Sequence, residues 1–207
     1  MDARNMTHVT QRKTGQRSKV AVIASENFED AFECVAVSTL SVKEKAFILL
    51  SMSGGLRFTE CQNVRVCDLK LEEGLAHIRV LKKKKKMKSH TTGKILKISP
   101  VYRWISIHPS ALRIIKQVIE QDGLPHFSRV FGDIKRSTLD RHIRELFGRN
   151  ACHHSISRHS HITYRLHQLK ESPQEVAEQM QITLDVASGY NHINQKELVK
   201  KTWAKVG

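Results

Sequence analysis

A chain of 207 residues is long enough to bury a core, and it reads as one domain of roughly 170 residues with a tail. Lys and Arg number 35 against 20 Asp and Glu, a net charge of +15 before any histidine is counted, which points to a polyanionic partner, nucleic acid ahead of an anionic membrane surface. No apolar run approaches the roughly 18 residues that span a bilayer, and the opening MDARNMTHVTQRKTGQRSK lacks the apolar centre of a signal peptide, so a cytoplasmic protein without a membrane segment is expected.

Residues 1–24 are mainly basic and polar and read as a flexible arm. Ser25 looks like the N-cap of a helix with Glu26 and Glu29 in its first turns and Phe28, Phe32 and Val35 on one face. A second helix starts at the capping box Ser41–Glu44, runs through Ala46, Phe47, Leu49 and Leu50, and stops at Gly54-Gly55. Helical character resumes from Leu56 to Val66. From Glu72 the period falls to two: Leu75, His77, Arg79 and Leu81 alternate with Ala76, Ile78 and Val80, as in a half-buried strand. A lysine run, Lys82 to Lys86 with Lys88, leads into a Ser-His-Thr-Thr-Gly turn, and Lys94 onward reads as the return strand. Trp104-Ile-Ser-Ile is placed as a third strand. Pro109 opens a helix carrying Leu112, Ile115, Val118 and Ile119, and Ser137 caps another carrying Leu139, Ile143, Leu146 and Phe147. The last third is helical in three pieces, over 157–170, 173–181 and 183–190, followed by a polar segment, Gln195 to Lys205, with Leu198, Val199 and Trp203. The expected fold class is α+β, mainly helical, with one small antiparallel sheet.

Several residues invite chemistry on their own. Arg57 follows a Gly-Gly turn at the start of a helix, where backbone N–H groups and a guanidinium both favour phosphate, and Glu60 could hold it; the plain alternative is a surface ion pair worth a few tenths of a kcal/mol. The lysine run is ordinarily a solvated loop that touches phosphates without sequence preference. Cys152-His153-His154 and His159-x-His161 suggest zinc, but histidines two apart do not share a helical face and no Cys pair stands at finger spacing, so no metal is expected. Cys34, Cys61, Cys67 and Cys152 contain no C-x-x-C pair and read as free thiols.

Taken together, four motifs resemble those of the tyrosine recombinases, or phage-type integrases. GGLRFTECQNVRVCDL is similar to the family's first arginine box, with Asp68 at its acidic position, and SRHSHITYRL to its second. A lysine-bearing hairpin, IRVLKKKKK, lies between them, and Tyr190 follows on a short amphipathic segment. The resemblance covers about Ser25 to Lys205. It implies that Tyr190 attacks a DNA phosphodiester to form a 3′-phosphotyrosine, that Arg57 and Arg158 hold the phosphate, and that a lysine protonates the leaving 5′-oxygen. Lys83 is favoured for that role, with Lys84 and Lys85 close behind. Lys82, Lys84, Lys85, Lys86 and Lys88 are expected to bind DNA, Glu60 and His159 to support the arginine pocket. No cofactor, metal or ATP is implied.

The pattern departs from the family at two places. The usual His-x-x-Arg puts Ser155 three before Arg158 while His154 falls one place early, so either residue is open for that role. The third position falls on Gln181, which can donate an amide hydrogen bond but cannot act as acid or base. The division expected is an arm over 1–24, a catalytic domain over 25–193, and a segment over 194–207 docking on a neighbouring protomer or capping its own domain. With so short a lead-in, the chain resembles the fimbrial-switch recombinases that lack a core-binding domain, or a catalytic fragment. Double-stranded DNA, a homo-oligomer from dimer to tetramer, accessory DNA-bending proteins or a partner recombinase, and a nucleoid-associated location follow from the resemblance. Two rivals remain: a catalytically lapsed relative that binds DNA as an accessory or regulatory protein, and a relaxing enzyme of the type IB topoisomerase kind.

Overall fold

The structure is a computed structural model that describes residues 3–11, 19–88 and 95–190, without side chains at residue 3 and within strand residues 8–11, 19–20, 81–88 and 95–100. Where an arm was expected, Thr7–Gln11 (β1) pairs antiparallel with Lys19–Ile23 (β2), Thr7 opposite Ile23. The reason lies in the run Val20-Ala21-Val22-Ile23, which the surrounding basic residues obscure. Ala21, Val22 and Ile23 are buried, as is Met6, and Ile23 N donates to Ser160 Oγ at 2.9 Å. Residues 12–18 and the segment 194–207 lie outside the described residues, as does the expected turn at 89–93.

Five helices build the main body. Phe28–Val37 (α1) begins after a short 3-10 turn, Ser25–Asn27; Ser25 bonds to Glu26 and does not cap the helix. Val42–Gly54 (α2) starts at the expected Ser41–Glu44 capping box, is buried from Ala46 to Met52 and at Gly54, and ends at Gly55 with φ 58°. Phe58–Gln62 (α3) is a short helix after the glycine corner. Pro109–Gln121 (α4) begins at the expected proline, with the His108 ring accepting from Ser110 N. Arg136–Phe147 (α5) begins before Ser137, with Lys135 at its N-cap. Leu139, Ile143 and Phe147 of α5 join Phe32, Phe47, Leu49 and Phe131 in one apolar core.

One three-stranded antiparallel sheet has the order β3-β4-β5, with Leu69–Lys70 (β3), Leu75–Lys88 (β4) and Ile95–Ser106 (β5). The third strand is therefore the short β3, and Trp104 belongs to β5, the return strand. Pro100 did not end that strand because the ladder is irregular opposite it: the register shifts between Val80 and Lys84, and Pro100 stands across from Lys84. Ala76, Ile78, Val80, Arg103 and Ile105 face the core, while His77, Arg79, Tyr102 and Trp104 face outward.

The last third is a helical assembly of its own. A π turn, Ser155–His159, runs directly into Ser160–His167 (α6). Pro173–Met180 (α7) starts at a Ser172–Glu175 capping box and ends at Gln181 with φ 53°, after which residues 184–190 are helical. Ile162, Leu166, Val176, Ala177, Met180 and Ala187 form a small second cluster. Within 184–190 only Ala187 is fully buried, whereas Leu184 and Val186 are about half exposed. At roughly 0.8 kcal/mol per buried CH₂ group, this last segment is lightly held against the body and can shift at small cost. No helix among the described residues is long and apolar enough to cross a membrane.

Candidate active site

The glycine corner is where the site begins. A Cβ on Gly54 would stand 2.6 Å from Ile105 Cδ1 and 2.9 Å from its Cγ2, and Gly55 sits at φ 58°, so glycine at both positions lets the end of α2 turn this close to β5. The carbonyls left over at that helix end are taken by arginines. Arg103 Nη2 donates to Gly54 O at 2.6 Å and Arg158 Nη1 to Gly55 O at 3.1 Å. Cations at a helix C-terminus also suit its dipole.

Arg57 caps α3, and Glu60 is the hub that fixes it. One carboxylate oxygen of Glu60 accepts from Arg57 N at 2.9 Å, and the other from Arg57 Nη1 at 2.7 Å. Arg158 Nη1 lies 3.9 Å from the same carboxylate, which is only 2% exposed. The exposed Arg–Glu pair considered from the sequence is thus one with a buried carboxylate and a half-buried Arg57. Burial, then the neighbouring Arg57 charge, pulls the Arg158 guanidinium down to about 10, against Glu60. Burial likewise brings Arg103 to about 10, with Glu60 opposing and Arg158, Arg165 and Arg57 adding to the fall. Both stay charged at neutral pH. Arg158 Nη2 is buried and has no hydrogen-bond partner among the described residues.

Arg57, His154, Arg158, Gln181 and Tyr190 line one cavity of about 360 Å³, walled by Val80, Ile182, Thr183 and Val186. Residues from four separate stretches of sequence meet there. Tyr190 Oη lies 2.5 Å from His159 Nδ1, and the His159 ring packs edge-on to His154 with centroids 4.5 Å apart. The side-chain nitrogen of Gln181 donates to Glu178 O at 2.9 Å, closing the end of α7.

Ser155 does not reach this cavity. It is fully buried, its Oγ donating to Cys152 O at 2.8 Å and accepting from Cys152 N at 3.0 Å. Of the two residues open for the position before Arg158, His154 lines the cavity and Ser155 does not; the π turn over Ser155–His159, one residue longer than an α turn, carries Ser155 away from the face of Arg158. The lysines Lys82 to Lys86 and Lys88 lie on β4, beyond the cavity residue Val80, and their side chains fall outside the description. Among the described residues no group of three or more His, Cys, Asp or Glu is placed to hold a metal ion, and none of the four cysteines is in a disulfide.

The sequence reading missed Arg103 and the bond between Tyr190 and His159. Arg103 carried one signal: it shares the inward parity of Ile105 on β5. The His159 bond carried none, because it joins two segments that meet only through the fold.

Solved structures share this architecture. The XerA recombinase crystal structure matches with a TM-score of 0.61 at 15% identity, covering 95% of this chain and 66% of that one. XerH recombinase, bound to palindromic difH substrate in a post-cleavage complex, matches with a TM-score of 0.61 at 20% identity, covering 87% and 52%. The Tn1549 transposon integrase, in complex with circular intermediate DNA, matches with a TM-score of 0.54 at 14% identity, covering 82% and 61%. The fold is that of a tyrosine recombinase catalytic domain, and the chain spans between about half and two thirds of the length of these recombinases. No curated protein sequence matches it. The phage integrase family model matches residues 21–163, well over half of the chain, and the protein belongs to that family.

Proposed function

We propose that this chain carries out site-specific DNA recombination by breaking and rejoining a strand through Tyr190. The observation that supports this reading is the convergence of Arg57, Arg158, His154, Gln181 and Tyr190 on one cavity, with a buried, unpartnered N–H of Arg158 directed to no protein acceptor. A phosphodiester supplies what that group lacks. Its transition state gathers negative charge on the equatorial oxygens, and two guanidiniums held by Glu60 stabilise that charge without reorganising.

The reaction is phosphoryl transfer. Tyr190 Oη bonds to phosphorus, the bond from phosphorus to the 5′-oxygen breaks, and the 3′ end stays on the enzyme as a phosphotyrosine. The phenol proton passes to His159 Nδ1, already within hydrogen-bond distance, and the departing 5′-oxygen takes a proton from Lys83 on β4. The 5′-hydroxyl of a second strand reverses these steps, so the bond energy is conserved and no nucleotide or metal is consumed. His154 and Gln181 donate hydrogen bonds to the non-bridging oxygens. The light anchoring of residues 184–190 lets Tyr190, once its proton has passed to His159, swing to an in-line approach. The working assembly is a homo-oligomer on double-stranded DNA.

A nicked suicide substrate tests the reading. Wild-type protein becomes covalently attached to the DNA and Tyr190→Phe does not, while Arg57→Ala and Arg158→Ala lose attachment yet keep most DNA affinity. A wild type that binds duplex DNA and never attaches, across flanking sequences from its own genetic element, refutes the catalytic reading in favour of a DNA-binding accessory protein.

A further inference from the structure

A second feature stands on the other side of the sheet from the cavity. On that outward face His77 lies opposite Trp104 and Arg79 opposite Tyr102. The His77 ring stacks on Trp104 at 4.5 Å and on Tyr102 at 4.8 Å, forming a ladder of three rings. Trp104 is 52% exposed, Tyr102 44%, and the neighbouring Phe127 73%. Exposed rings gathered in this way form a patch that a chain gains little by leaving bare.

Beside the ladder is a cavity of about 400 Å³ lined by Arg65, Arg79, Arg129, Tyr102, Phe127 and Asp68, among others. Its far wall is pinned rather than loose. Val66 N donates to Ser128 O at 3.0 Å and Cys67 N to His126 O at 2.8 Å, and Arg65 and Arg129 face each other in a backbone bridge. Among the described residues none of the three arginines forms an ion pair, and the Asp68 carboxylate is turned to Arg65 N at 2.8 Å. Three guanidiniums and two exposed rings around one pocket describe a ligand that is both anionic and flat.

We infer that this outer sheet face is a second nucleic-acid site that takes a single strand with unpaired bases, its phosphates on Arg65, Arg79 and Arg129 and its bases against Tyr102 and Phe127. Duplex DNA offers the charge but hides the base faces, and an acidic peptide offers the charge without flat rings. Base–aromatic stacking contributes enough per base to be read as a preference for bases over bare backbone. The site does not depend on the cleavage reaction. It would hold a displaced strand while the other cavity works on a phosphodiester.

The test uses the full chain with Trp203→Phe, so that Trp104 is the fluorescent reporter, and an oligothymidylate of about 15 nucleotides, a length within the range single-strand sites cover. Expected is quenching of Trp104 and affinity about tenfold above that for an abasic oligonucleotide of equal length. Tyr102→Ala with Phe127→Ala removes that preference, and Arg79→Gln with Arg129→Gln weakens both oligonucleotides, while covalent attachment to the suicide substrate is unchanged in every variant. Equal binding of the two oligonucleotides by wild type overturns the inference, as does a preference that survives loss of both rings. Quenching by polyglutamate as strong as that by oligothymidylate also overturns it. Because attachment is read separately, failure here is distinguishable from failure of the recombinase reading.

Discussion

Replacing Glu60 with Gln isolates the hub of the site without changing its shape. The carboxylate is 2% exposed and answers Arg57 at 2.7 Å and Arg158 at 3.9 Å, with Arg103 close enough for its charge to be felt. Breaking a buried ion pair by removing one partner costs about 3–5 kcal/mol. The low end applies, because Arg57 is partly exposed and can turn toward water, whereas Arg158 cannot. For a chain of this size about 3 kcal/mol lowers the melting temperature by roughly 6–12 °C. Sulfate is a fair stand-in for the phosphate, and at about a hundred times its dissociation constant it returns roughly 2.7 kcal/mol. Thermal unfolding followed by circular dichroism, with and without sulfate, should therefore show a low melting point for Glu60→Gln and a larger rescue by sulfate than in wild type. A variant that melts within about 2 °C of wild type, or is not rescued more than wild type, refutes the idea that one carboxylate holds mutually repelling guanidiniums together for an anion.

His154→Ala should slow covalent attachment by about a hundredfold, within the range for losing one transition-state hydrogen bond, while Ser155→Ala leaves the rate nearly unchanged and lowers stability instead; single-turnover cleavage and a melting curve check the pair. His153 is buried between Phe47 and Phe58 with its Nε2 unpartnered, and burial, helped by Arg136, brings it down to about 3. Its folded pKa lies below the unfolded 6.5, so the unfolded chain takes up the proton first and stability falls as pH drops from 6.5 toward 3. By pH 5 the loss is about 2 kcal/mol, and His153→Phe should remove that part of the acid slope in urea unfolding. Replacing the five lysines Lys82 to Lys86 with Gln should flatten the salt dependence of DNA binding by as much as about 4.5 units of log–log slope; an unchanged slope would mean that these lysines do not touch DNA.

Elements whose signals are local were legible in the sequence. The Ser41–Glu44 box, the glycine corner and Pro109 each announce a helix end through one or two residues, and each stands where it was read. The hairpin at the start was hidden because its apolar run is only a few residues long and sits behind basic sequence, so composition outweighed it. The third strand was misplaced because β3 has just two residues and no period can be seen in two. Ser137 and Ser25 were read as caps from their residue type, but tertiary packing set those helix starts elsewhere. Of the candidate site, what the sequence offered was a set of residue types, and Arg57, Arg158, Gln181 and Tyr190 do share one cavity. Its supporting contacts were not legible, because Arg103 and the His159–Tyr190 bond depend on which backbones approach each other.

The position before Arg158 shows how a one-residue misfit in sequence need not become one in space. On a regular helix, the residues three and four before another flank it on the same face, so spacing alone would leave both Ser155 and His154 near the cavity wall. The π turn over Ser155–His159 takes up the additional residue, and the hydroxyls of Ser155 and Ser160 bond within it, Ser155 to Cys152 O and Ser160 to Ser155 O at 2.9 Å. Such turns are rare and occur mostly as single-turn insertions in helices, so they persist where something else compensates. Here the compensation is packing, because Ser155, Ile156, Ser157 and Ser160 are all fully buried. The small residues of SISRHS are therefore what permits the turn, and the turn is what carries Ser155 inward and leaves His154 at that wall.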